Sequence, residues 1–249
     1  MATISRYATV ESPHVADDVV IGPFTYIGPE VVIGPGCRID ENVIIAGKTT
    51  LGSDNHVFPR AMIGHPEFAK GCNTCTIGQA NRIREHVTIL PGKDTPTQID
   101  HDCLIMGACS IGASAHVGSH VVFANSTTVG NGATVEDYVR SSAFPVVEDG
   151  VRVGAYSFMN GYARIDADAP PFAMLEGDPF GVRGVNSHNL SRCGFGADDI
   201  RTLKYAYREI YNGKSSRPNA DVIARLLADE TTNMLVRQAV EAIVQEARS

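Results

Sequence analysis

Asp102, His120, Tyr138 and Tyr156 stand eighteen residues apart in the chain. A carboxylate beside an imidazole can orient the ring and stabilise its charged form, as a general base requires. The spacing matters only if the backbone returns to the same place every eighteen residues. Neither an α-helix (period 3.6) nor a simple strand (period 2) does that. Ala113, Asn131 and Asp149 form a second series at the same interval, with Glu148 beside it. His116 also faces outward near His120, but no acidic residue shares its phase. For either series the bland alternative is a polar ladder, solvated or lying between subunits.

The required repeat is present. Val15, Ile21, Ile27, Ile33, Ile39, Ile45, Leu51, Val57 and Ile63 recur every sixth residue. Four places after each stands a small or branched residue, such as Val19, Thr25, Cys37 or Asn55. Such hexapeptides predict an all-β left-handed parallel β-helix, three hexapeptides closing one triangular coil. The aliphatic fills the prism, the small residue packs at its corner, and coils stack about 4.8 Å apart.

Met1 to His14 is expected to cap the open end. Loops over 65–76 and 90–98 interrupt the period, which resumes at Ile77 and again at Ile99 and runs to Ile165. Ser141 is a defect in the core row. Gly177 to Asn186 reads as a loop, and helices are predicted at Ala197–Asn212, Ala220–Asp229 and Thr232–Ala247 from three-to-four apolar spacing. The domains are therefore a β-helix over 1–190 and a C-terminal α-helical domain over 191–249. Arg201, Lys204 and Arg208 share one face of the first helix, either simply solvated or meeting an acidic partner or a phosphate tail.

The 249 residues suffice for a substantial core. A net charge of −7 and a pI near 5.6 argue against nucleic-acid binding. No run has the apolar length of a membrane span, and Met1–Val10 lacks the basic and apolar parts of a signal peptide, so a cytoplasmic location is expected. Cys37, Cys103 and Cys109 fall at small corner positions, where cysteine acts as a compact apolar residue. Cys72 and Cys75 form a single CxxC without a second pair, a weak metal signal. No metal site and no cofactor are expected.

Several stretches carry a closer likeness: Asn81-Arg82-Ile83-Arg84-Glu85-His86-Val87-Thr88-Ile89, Phe123-Ala124-Asn125, Pro170-Pro171-Phe172-Ala173, Gly184-Val185-Asn186, Leu190-Ser191-Arg192-Cys193-Gly194-Phe195, and Tyr205 through Tyr211. In this order they resemble the UDP-N-acetylglucosamine acyltransferase family. The resemblance implies a homotrimer with active sites between neighbouring β-helices, an acyl donor on acyl carrier protein, and a nucleotide-sugar acceptor.

The chain departs from that family at its chemistry. The family's base lies in an Asn-Ala-His-x-x-His stretch, which here reads Ala108-Cys109-Ser110-Ile111-Gly112-Ala113. The base position is therefore Ala113, which cannot take a proton. A later family histidine aligns with Glu148, and the family's nucleotide-contacting pair of arginines becomes Arg192 and Cys193, halving that charge. The substrate loop becomes His65-Pro66-Glu67-Phe68-Ala69-Lys70.

Three readings follow: an acyltransferase with an altered site, using a carrier-protein or CoA thioester as co-substrate; a trimeric enzyme of different acid–base chemistry in the same cleft; or a non-catalytic binding homologue. A γ-type carbonic anhydrase is disfavoured because His86, His116 and His120 lack its ligand spacing. The expected catalytic residues are His120, Asp102, Glu148 and Asp149. Glu67, Lys70, His116 and Asn125 are expected to line an intersubunit cleft, closed above by Asn186, His188 and Arg192.

Overall fold

In the computed structural model, which describes residues 1–65, 74–211 and 218–246, the hexapeptides form a three-sided parallel β-helix. Among the described residues, short strands stack into sheets of eleven, nine and eight, here termed I, II and III. Core residue lies over core residue: Ile21 on Ile39, Ile27 on Ile45, Ile33 on Leu51. Because side chains alternate along a strand, the residues before and after each core aliphatic point outward. Ile33, Ile63, Ile111 and Val117 are sealed inside. An added Cβ at Gly112 would lie 2.6 Å from Asn131 N, so coils can stack this closely there only over glycine.

The corner positions behave as their sizes require. Asn55 and Asn81 are buried at successive coils, and Asn55 Oδ1 accepts from Asn81 N while Asn81 Oδ1 accepts from Cys103 N. Cys37, Cys75, Cys103 and Cys109 are buried thiols, and burial pushes Cys103 up to about 12 and Cys109 to about 11. Ser141, the defect in the core row, is 8% exposed and satisfied: its Oγ accepts from Ala124 N and bonds Thr127 Oγ1 at 2.9 Å.

Three elements differ from expectation. Met1–His14 is not a separate cap, since Thr3–Ile4 and Thr9–Val10 already pair with the next coil. Ile4 aligns with Ile21 at seventeen residues and Val15 with Ile33 at eighteen, so the first coil slips phase by one and hides from the period. Gly177–Asn186 is not all loop: Gly181–Val185 pairs antiparallel with Ala173–Glu176. Its glycines masked the strand pattern. A first helix, α1 (Ser187–Arg192), was not expected, and the 190/191 boundary falls inside it.

Beyond it lie α2 (Ala197–Tyr211), α3 (Ala220–Ala228) and α4 (Met234–Glu246). Asn186 caps α1 and Asn219 caps α3 through side-chain oxygens on first-turn amides. Ile200, Leu203, Tyr207 and Ile210 bury one face of α2, and the Tyr207 hydroxyl donates to the Pro171 carbonyl. The opposite face exposes Arg201, Lys204 and Arg208. Among the described residues, no helix is long and apolar enough to cross a membrane.

Candidate active site at the sheet III–sheet I corner

The Asp102 series lies on the corner between sheets III and I. Asp102, His120, Tyr138 and Tyr156 each adopt a left-handed backbone, with φ between 57° and 62°. For L-residues this costs about 1–2 kcal/mol each. The strain is held by a regular ladder: His120 N donates to His101 O (2.8 Å), Tyr138 N to Ser119 O (2.9 Å) and Tyr156 N to Asp137 O (3.0 Å). Each bond reaches the coil below, so every side chain leaves the corner in the same direction.

The side chains then stack. His120 lies 4.6 Å from Tyr138, Tyr138 lies 4.8 Å from Tyr156, and Phe172 continues the pile above at 5.7 Å. Phe195, from the segment after α1, closes edge-on against Tyr156 at 5.1 Å. Below the imidazole, His120 Nδ1 lies 4.0 Å from Asp102 Oδ2, with both groups about half exposed. At 4.0 Å the two groups are in ion-pair contact only when the ring is protonated, and lie beyond hydrogen-bond distance. Burial, followed by the neighbouring Tyr138, pushes the Tyr156 phenol upward.

The pair opens into a cavity of about 550 Å3 lined by Asp102, His120, Val122, Tyr138, Arg140, Tyr156, Arg192, Cys193 and Gly194. Sequence reasoning brought Asp102, His120 and Arg192 to this region but passed over Arg140. Its signal was available, because it is the outward residue preceding the Ser141 defect. The two tyrosines were in the column yet absent from the expected site.

The remaining expected residues disperse. His116 does have an acidic partner: its Nε2 lies 3.0 Å from Asp100 Oδ2. The missing partner was sought eighteen residues away, but outward residues flanking the core row meet diagonally at sixteen. The same diagonal joins His56 to Asp40, Arg152 to Glu136 and Arg164 to Glu148. Glu148 is thus engaged by Arg164 at 2.7 Å. Asp149 Oδ1 accepts from Asn131 N at 2.7 Å, and Asn131 Oδ1 accepts from Ala113 N at 2.9 Å.

Asn125 is exposed on the corner between sheets I and II, a third edge of the prism. Asn186 is buried and donates to Tyr156 O at 2.9 Å, tying α1 to the column rather than facing a ligand. His188 is exposed and does not line the cavity. Glu67 and Lys70 lie outside the described residues. Among the described residues, no cluster of three metal-binding side chains occurs.

A hexapeptide β-helix whose corner bears an open cavity under a small helical cap is the architecture of the hexapeptide transferases. A profile for bacterial transferase hexapeptides matches residues 12–47, and one for domain 2 of UDP-N-acetylglucosamine O-acyltransferase matches 168–249. The acyl-[acyl-carrier-protein]–UDP-N-acetylglucosamine O-acyltransferase of Stenotrophomonas maltophilia K279a is 38% identical over 205 residues, 79% of this chain and 78% of that protein. The Synechocystis enzyme of the same description is 34% identical over 74% of this chain and 68% of its own length. The solved UDP-N-acetylglucosamine O-acyltransferase of Moraxella catarrhalis superposes with a TM-score of 0.84 at 26% identity, covering 100% of this chain and 96% of that one. The chain belongs to the UDP-N-acetylglucosamine O-acyltransferase family.

Proposed function

We propose that the protein is an acyltransferase with a relocated base. It moves an acyl group from a thioester, carried on acyl carrier protein or CoA, to a hydroxyl or amine of a nucleotide sugar or another small acceptor. The observation that carries this reading is the Asp102–His120 pair opening into the 550 Å3 cavity. His120 presents Nδ1 to Asp102, leaving Nε2 to take the acceptor proton. The acceptor oxygen or nitrogen then attacks the thioester carbonyl, forming the new acyl bond. As the carbon–sulfur bond breaks, the imidazolium returns its proton to the departing thiolate. Asp102 stabilises the imidazolium between these steps.

The family's own base position is Ala113, and its backbone N–H is engaged by Asn131. The ordinary family reaction, from hydroxyacyl carrier protein to UDP-N-acetylglucosamine, is therefore expected to be absent or slow. The active form is a homotrimer, in which a neighbouring prism covers the open side of the cavity. Mass-spectrometric detection of acyl transfer across a panel of thioesters and nucleotide sugars tests the reading. Loss of that transfer in His120→Ala, with the assembly intact, is the supporting result. Full transfer in that variant refutes the assignment, and a monomeric mass by light scattering refutes the trimer.

A further inference from the structure

We infer that Arg140, aimed by Asn189, is a second phosphate-binding arginine beside His120, forming a clamp with Arg192, which the family resemblance already places on the nucleotide. The inference rests on the reading of this cavity as the substrate site and adds to it a residue, Arg140, that holds the ligand's phosphate.

The two guanidiniums reach the cavity from different parts of the fold. Arg140 comes from sheet I, in the strand Arg140–Ser141, and Arg192 ends α1. Both line the same space as His120, Tyr138 and Tyr156. Neither forms an ion pair among the described residues. By contrast, Arg152 pairs with Glu136 and Arg164 with Glu148 on the outward faces. Two cations sharing one cleft repel each other, and burial followed by Arg192 holds the Arg140 guanidinium below its ordinary value. A doubly charged anion relieves both terms at once.

The site is also built. Asn189 is 2% exposed, and both ends of its amide are engaged. Its Nδ2 donates to Tyr138 O at 2.9 Å, which leaves Oδ1 to accept Arg140 Nε at 2.9 Å. With Nε fixed, the terminal NH2 groups of Arg140 are the donors left for a ligand, a planar fork that suits phosphoryl oxygens. The Tyr138 and Tyr156 hydroxyls line the same space and have no hydrogen-bond partner among the described residues. Arginine, tyrosine and imidazole donors outnumber the single carboxylate of Asp102 in this lining. A neutral sugar or a bare acyl chain would leave those charges uncompensated.

A phosphate here can come from the diphosphate of a nucleotide-linked acceptor or from the phosphodiester of the donor's phosphopantetheine arm. Calorimetric titration of the full-length protein with inorganic pyrophosphate at low salt reads the clamp directly. Separate titrations with UDP-N-acetylglucosamine and with pantetheine 4′-phosphate identify the source. Arg140→Gln is expected to weaken pyrophosphate binding by about ten- to a hundredfold, the range for a hydrogen bond to a charged group, and Arg140→Lys to recover part of it. Of the other two ligands, the one whose affinity falls alongside names the source.

Unchanged pyrophosphate affinity in a folded Arg140→Gln protein, or no pyrophosphate binding by the wild type, overturns the clamp. Binding is scored without catalysis, so the two ideas fail separately. Arg140-dependent binding by an inert protein sinks the transferase reading alone. Transfer by a variant with unaltered binding sinks the clamp alone.

Discussion

Two corners of the same prism, built by the same repeat, differ at one turn position. At the sheet II–sheet III corner, Ala113, Asn131 and Asp149 close on themselves, each side-chain oxygen taken by the amide of the coil below. The sheet III–sheet I corner carries the same brace at the equivalent turn position, where Asp137 Oδ1 accepts from Ser119 N and His101 Nδ1 from Gln79 N. The next position, left-handed at both corners, holds Asp102, His120, Tyr138 and Tyr156 here and Ser114, Gly132 and Gly150 there. Asp102, His120, Tyr138 and Tyr156 line the cavity. A short side chain such as Asn or Asp folds back onto the turn and stabilises it. At the left-handed position the rings of His120, Tyr138 and Tyr156 project from the corner and stack. The residue at the left-handed turn position therefore decides whether a corner carries a stack of rings or leaves that position bare.

The largest expected effect would erase both corners together. Ile111→Asp places an unpaired charge in the sealed prism and should cost more than about 4 kcal/mol. No soluble, cooperatively folding protein should be recovered, and a normal thermal melt would show that the coil register is wrong.

Next comes the contrast in chemistry. His120→Ala should reduce acyl transfer by at least about a hundredfold with secondary structure retained. Ala113→His, which places an imidazole at the braced corner, should recover little of it when added to His120→Ala. A full rescue by that variant would move the site back to the sheet II–sheet III corner.

A smaller effect should follow from removing the stacking partner. Tyr138→Leu keeps an apolar side chain but deletes the ring 4.6 Å from His120, a contact worth about 0.5–1.5 kcal/mol. Turnover should fall up to about tenfold, and the NMR resonances of the His120 ring should move. Tyr138→Phe should leave both as in the wild type. If the His120 resonances are the same in Tyr138→Leu, the stack does not position the base.

The smallest effect belongs to the braces. Asp149→Ala should lower stability by about 1 kcal/mol, roughly 2–4 °C in Tm, without altering turnover.

Lower on the prism, pH adds a further check. Burial pushes the Asp40 carboxyl up, but hydrogen bonds from Arg38 and His56 outweigh it and leave it below the ordinary range. A depressed carboxyl adds stability above its unfolded value and loses it as pH falls through the folded one. Asp40→Asn should therefore melt lower than wild type at pH 7, with the gap closing below about pH 4. A gap that persists at pH 2 would place the destabilisation elsewhere.

By itself the sequence determined the prism, because a six-residue period admits one geometry and the core row is read from it directly. It also determined that Asp102, His120, Tyr138 and Tyr156 share an edge, since a regular repeat turns sequence distance into height. It hid the first coil, where one residue fewer shifts the phase, and the strand Gly181–Val185, whose glycines carry no pattern.

Only the tertiary structure decided the rest. The partners of His116 and Glu148 lie on a diagonal of sixteen residues, set by which outward neighbours face each other across the pleat. Arg140 and Arg192 are 52 residues apart in the sequence and belong to different elements. They line one cavity because α1 docks on the column through Asn186 and Asn189. No period records that docking, since it depends on where a helix comes to rest against the repeat.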